Sequence, residues 1–168
     1  MAHALTTIRM PRPPHRRQQR NPQTRRPPSS TLAPNTYKVL LVEDNEINLK
    51  VLNIHMAKLQ QSHASATNCR EAIDAYKASP ADIVFMDLQM PMMDGLEASR
   101  EIRRYEHEKG LVPTVIVALT GAASLSARQE AFSSGMDLFL TKLVAMKVLK
   151  EVLLEFKDKG RGALREFG

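Results

Sequence analysis

Apolar positions along this chain follow two rhythms. Near-continuous runs at 37–42, 83–86, 115–119 and 138–141 have the length and character of strands buried on both faces. The segments between them carry apolar residues at helical spacing. Asn45 is placed to cap a helix over 46–60, with Ile47, Val51 and Ile54 on one stripe and Leu49, Leu52, Met56 and Leu59 beside it. A band so broad normally packs on a sheet; the alternative is a partly exposed stripe that docks a partner helix. Further helices are expected over 68–77 with Ala72, Ile73 and Tyr76 inward, over 95–108 up to the stop at Lys109-Gly110, over 124–133 ending at Gly135, and over 145–156. Weak alternation at 62–67 predicts a short edge strand, on which His63 is an edge or solvent residue rather than a ligand.

Five strands alternating with helices imply an α/β fold, a doubly wound five-stranded parallel sheet with helices on both faces. The weak second strand belongs at an edge, which is compatible with the order 2-1-3-4-5. In such sheets ligands bind beyond the carboxyl ends of the strands, and this is where the polar groups collect. Glu43 and Asp44 follow the first strand, Asp87 the third, Thr120 the fourth and Lys142 the fifth. Three converging carboxylates repel one another unless a cation intervenes, and hard oxygen donors suit Mg²⁺. A divalent cation, an ammonium group and a hydroxyl around one carboxylate form a pocket suited to stabilising a phosphoryl group in transfer, with Asp87 as the nucleophile.

Composition changes this picture only at the start of the chain. The net charge of +6 comes from residues 1–34, which hold seven arginines and no acid and leave 17 basic against 18 acidic residues elsewhere. The same stretch holds seven of the ten prolines. Residues 1–36 are therefore expected to be a disordered Arg/Pro-rich tail or linker, with contact to an anionic surface, nuclear import or organelle targeting as the other readings. The domain is expected over 37–157, and 158–168 as a short frayed tail. Cys69, the single cysteine, excludes an internal disulfide and fits a reducing compartment. No stretch approaches the about 18 apolar residues of a membrane span. A cytoplasmic protein is expected, with the nucleus as an alternative raised by the basic tail.

The residues Val42-Glu43-Asp44-Asn45-x-x-Asn48, Met86-Asp87-Leu88-Gln89-Met90-Pro91-Met92-Met93-Asp94-Gly95, Ala118-Leu119-Thr120 and Phe139-Leu140-Thr141-Lys142 resemble the receiver domain of two-component response regulators. The resemblance is closest to the C-terminal receivers of fungal-type hybrid sensor histidine kinases and covers roughly residues 37–157. It implies a flavodoxin-like fold and a phosphoryl group passed from a histidine to Asp87. It also implies Mg²⁺ held by Glu43, Asp44, Asp87 and the Gln89 main-chain carbonyl, phosphate contacts from Thr120 and Lys142, and Phe139 as an aromatic switch following Thr120. The implied partners are a histidine kinase, a histidine phosphotransfer protein, or both, with the stripe around Ile47, Val51 and Ile54 as the docking surface. The chain could be part of a larger hybrid kinase; no direct nucleic-acid contact is expected. Such a domain is a signalling phosphoacceptor that supports only its own phosphoryl transfer and loss, rather than an enzyme acting on external substrates.

The chain departs from the family at one position: Leu143 follows Lys142 where proline, in a cis peptide, is usual. A cis bond before a residue other than proline costs about 2.5–4 kcal/mol, so a trans or a strained bond is expected here, with the loop that aims Lys142 displaced. The competing reading is a Mg²⁺-dependent phosphatase of the haloacid-dehalogenase type. It is disfavoured because the second acid of the Asp-x-Asp pattern is replaced by Gln89. A flavin site is disfavoured because Glu43 and Asp44 put negative charge where a phosphate would sit.

Overall fold

The computed structural model describes residues 37–121 and 124–159; the tail expected at 1–36 and most of that at 158–168 lie outside the described residues. Ten elements alternate: β1 (Val39–Val42), α1 (Glu46–Lys58), β2 (His63–Ala66), α2 (Cys69–Ala78), β3 (Ile83–Asp87), α3 (Gly95–Lys109), β4 (Val115–Thr120), α4 (Leu125–Ser133), β5 (Leu138–Thr141) and α5 (Met146–Lys159). The strands form one parallel sheet in the order β2-β1-β3-β4-β5. This is the doubly wound arrangement expected.

Helix starts follow local chemistry. The side chains of Asn45, Asn68, Asp94 and Ser124 each accept a backbone N–H from the first turn of α1, α2, α3 and α4 respectively, satisfying donors that have no partner inside the helix. Gly110 ends α3 in the left-handed region, with φ of 62°.

The period of two along each strand divides the core. Leu40, Val42, Val84, Met86, Ile116 and Ala118 face Ala72, Ile73 and Tyr76 of α2 and Ala98 and Ile102 of α3. Val39, Leu41, Ile83, Phe85, Val117 and Leu119 face Leu49, Leu52 and Met56 of α1 and Leu149, Val152 and Leu153 of α5. Burial on both faces is why the central strands read as unbroken apolar runs. The α1 band divides accordingly: one side is buried, whereas Ile47, Val51 and Ile54 are exposed.

A buried polar cluster ties the elements together where β4 and β5 begin. Glu106 is 2% exposed and accepts from Tyr76 Oη at 2.7 Å, from the Thr114 backbone N–H at 2.6 Å and from Arg103 at 2.7 Å. Arg103 also donates to the Gly135 and Thr114 carbonyls and to Asp137. Removing the carboxylate leaves a guanidinium, a hydroxyl and an amide without that acceptor. Glu106→Ala is therefore expected to lower unfolding stability by about 3 kcal/mol. Chemical denaturation checks this; a loss under about 1 kcal/mol would show that the cluster is replaced by solvent.

Candidate functional site

The expected site residues converge because parallel strands deliver all their C-terminal ends to one margin of the sheet. β1 and β3 are adjacent, with Val42 opposite Met86, so Glu43 and Asp87 emerge side by side. β4 and β5 are adjacent as well, with Thr120 opposite Thr141, which brings Lys142 in from the far side. Glu43 and Asp87 are each 1% exposed, while Asp44 is more open to solvent. Carboxylate oxygens from these three acids lie within 4.8 Å of one another.

Lys142 is the hub. Its Nζ lies 2.6 Å from Asp87 Oδ2 and 2.8 Å from Glu43 Oε2. Asp87 Oδ1 accepts the Gln89 backbone N–H at 3.0 Å. Burial pushes the Asp87 carboxyl above its ordinary range; the Lys142 and Gln89 hydrogen bonds pull it back incompletely, and Glu43 pushes it further up. Burial lowers the Lys142 ammonium, but its bonds to Asp87 and Glu43 outweigh this and raise it overall, so it stays charged. Three carboxylates against one ammonium leave two negative charges in a hollow of hard oxygen donors, which fits one divalent cation.

Glu43 behaves differently from the other two acids. Its Oε1 accepts the Asn45 backbone N–H at 3.3 Å, Asn48 Nδ2 at 3.1 Å and Lys142 Nζ at 3.1 Å. Asn48, one turn into α1, was legible in sequence only as a spaced neighbour of the acidic pair. Its contact makes it a positioning residue for Glu43.

Of the two alternatives expected for the bond after Lys142, the trans one is not found: the Lys142–Leu143 peptide is cis. Lys142 is held at both ends without proline: its backbone N–H donates to the Thr120 carbonyl at 2.7 Å, and its Nζ is held by two acids. Thr120 is buried at the end of β4, and Phe139 is half-buried on β5, packed against the α2–α3 side of the core.

Gly95 and Cys69 are a second pair whose roles the sequence did not disclose. A Cβ at Gly95 would run into the Asp87 carbonyl oxygen and come within 3.0 Å of Met86 Cγ, so only glycine lets α3 start this close to the acid. The Cys69 thiol donates to the Met93 carbonyl at 3.0 Å, fixing the loop between β3 and α3 against α2. Burial and the nearby acids push this thiol up to about 12, which leaves it protonated and unreactive.

With the geometry established, the comparisons are specific. The family model described as the response regulator receiver domain matches residues 39–154. Sensor histidine kinase GacS of Pseudomonas protegens is 34% identical over 134 residues, covering 80% of this chain and 15% of that protein. The chain thus corresponds to a small part of that relative's length. The Saccharomyces cerevisiae Ssk1 receiver domain, solved in a co-crystal with the histidine phosphotransfer signalling protein Ypd1, superposes with a TM-score of 0.70 at 33% identity, covering 76% of this chain and 95% of that one. The receiver domain of sensor histidine kinase PA1611 from Pseudomonas aeruginosa, solved with magnesium coordinated in its active-site cleft, gives a TM-score of 0.63 at 29% identity, covering 70% and 93%.

Proposed function

Because this chain belongs to the response regulator receiver family, a signalling domain of two-component phosphorelays, we propose that Asp87 is its phosphoacceptor. The observation that carries this reading is the buried Asp87 carboxylate held by the Lys142 ammonium, with Glu43 and Asp44 alongside. The donor is a phosphohistidine, from a histidine kinase or a histidine phosphotransfer protein. An Asp87 oxygen attacks phosphorus, the nitrogen–phosphorus bond breaks, and the imidazole leaves with the electron pair and takes up a proton. Lys142 offsets charge on the phosphoryl oxygens, the Thr120 hydroxyl donates to one of them, and Phe139 repositions as Thr120 moves. No second acid stands at Gln89, and the relatives found are signalling proteins, so the phosphatase reading has no support.

Asp44, Asp87 and the Gln89 main-chain carbonyl would hold Mg²⁺ directly. Glu43 would join them, its carboxylate oxygen lying within 4.8 Å of those of Asp44 and Asp87. When bound, the cation supplies Lewis-acid stabilisation of the transferring phosphoryl group. Asp44→Asn is expected to weaken Mg²⁺ binding about tenfold, as loss of one anionic ligand should. Isothermal titration of Mg²⁺ checks it, and unchanged affinity would remove Asp44 from the ligand set.

In this reading the folded unit is 37–157, working in the cytoplasm, alone or within a larger hybrid kinase. Among the described residues no helix is long and apolar enough to cross a membrane. The deciding experiment is incorporation of label from [³²P]acetyl phosphate, expected with Mg²⁺ and lost on chelation. Failure to label under Mg²⁺ would refute the assignment.

A further inference from the structure

We propose that Asn48 sets which divalent cation the acidic hollow prefers, favouring a small ion of strict geometry over a larger, adaptable one by holding the Glu43 carboxylate in a single orientation. This rests on the reading of the hollow as a Mg²⁺ site and deepens it. Glu43 Oε1 accepts three donors: the Asn45 backbone N–H at 3.3 Å, Asn48 Nδ2 at 3.1 Å and Lys142 Nζ at 3.1 Å. Its Oε2 accepts only Lys142 Nζ, at 2.8 Å. A carboxylate has about four lone-pair positions in all, so Oε1 is saturated and Glu43 has one oxygen left to turn toward a cation. Of the three donors, Asn48 is the one side chain given to Glu43 alone, since Lys142 also holds Asp87. Asn48 is itself anchored: its backbone N–H donates to the capping side chain of Asn45 at 3.1 Å, which fixes the turn of α1 that carries it.

The preference follows from what each ion asks of its ligands. Mg²⁺ demands near-ideal octahedral placement at about 2.0–2.1 Å, whereas Ca²⁺ takes about six to eight oxygens at about 2.3–2.6 Å and accepts both oxygens of one carboxylate. A Glu43 pinned through Oε1 offers a single, fixed oxygen, which suits the first ion and denies the second its paired contact. Asp87 is already fixed by the Gln89 N–H and by Lys142, and Asp44 is the more open of the acids. The freedom of Glu43 is therefore what Asn48 controls. Because the amide is neutral, removing it leaves the charge of the hollow unchanged and acts on ligand geometry alone.

The test is isothermal titration of the full chain with Mg²⁺ alone and with Ca²⁺ alone, in the parent, Asn48→Ala and Asn48→His. Asn48→Ala is expected to raise the Mg²⁺ Kd about tenfold, as losing a group that orients a metal ligand does, while the Ca²⁺ Kd stays within about twofold. Asn48→His keeps a nitrogen donor the same number of bonds from the backbone and is expected to bring the Mg²⁺ Kd back to within about threefold of the parent. Equal losses for the two ions in Asn48→Ala, an unmoved Mg²⁺ Kd, or no recovery in Asn48→His would each overturn the proposal. So would loss of the fold in Asn48→Ala, read by far-UV circular dichroism, because Asn48 would then be a structural residue. Each of these results leaves the receiver reading standing, provided that the parent binds Mg²⁺ and takes label from acetyl phosphate. A parent that binds neither ion would sink the metal reading together with the role of Asn48.

Discussion

Asp87→Asn is expected to reduce uptake of label from acetyl phosphate by on the order of 10³-fold or more, because it removes the anion proposed to attack phosphorus and leaves a neutral amide. The shape of the side chain is kept. The amide oxygen can still accept the Gln89 N–H, and Lys142 retains Glu43 as a partner, so the fold should persist. Unchanged far-UV circular dichroism beside absent label is the expected pair of results. Label at the parent level would move the acceptor to another carboxylate, with Asp44 the neighbour to examine next.

Gly95→Ala is expected to be almost as damaging for a different reason. The added methyl is aimed at the carbonyl of Asp87 itself, which is backbone and cannot rotate away. Either the first turn of α3 or the end of β3 must move, and the Gly95 N–H bond to the Leu88 carbonyl, 3.3 Å long, stretches with it. The cost is about 3 kcal/mol of stability, in the range of overpacked cores. Phosphoryl uptake should fall further than unfolding alone explains, since displacing a reacting group by about 1 Å costs about 100-fold. Gly121→Ala is the control: its Cβ would meet nothing nearer than Gln89 Oε1 at 3.7 Å, and it should stay within about 0.5 kcal/mol of the parent. Similar losses in both variants would rule out the steric account.

The framework was legible because its causes are local. Val39–Val42 and Val115–Thr120 announce themselves by composition, and Asn45, Asn68, Asp94 and Ser124 mark helix starts through a single side chain each. The converging groups could be read once the strands were placed, since a parallel sheet has only one margin for its carboxyl ends. What escaped depends on residues far apart in sequence. Glu106 sits among charged neighbours in α3 and looks solvated until Tyr76, 30 residues earlier, and Thr114, 8 later, are brought to it. Gly95 reads as part of a turn, yet its constraint is the backbone of Asp87 rather than its own φ. The loop after β5 was hard to read because proline is only one way to aim a lysine, and two carboxylates provide another.

The Arg103–Glu106 cluster lies where β4 and β5 begin, whereas the acids and Lys142 lie where the strands finish. Folding strength and the proposed signalling chemistry thus occupy opposite ends of the described sheet. A saturation library scored once for cellular abundance and once for phosphate occupancy should separate into two geographically distinct sets of damaging positions. Natural lineages could in the same way exchange one relay partner for another by rewriting one end while the other keeps the scaffold intact.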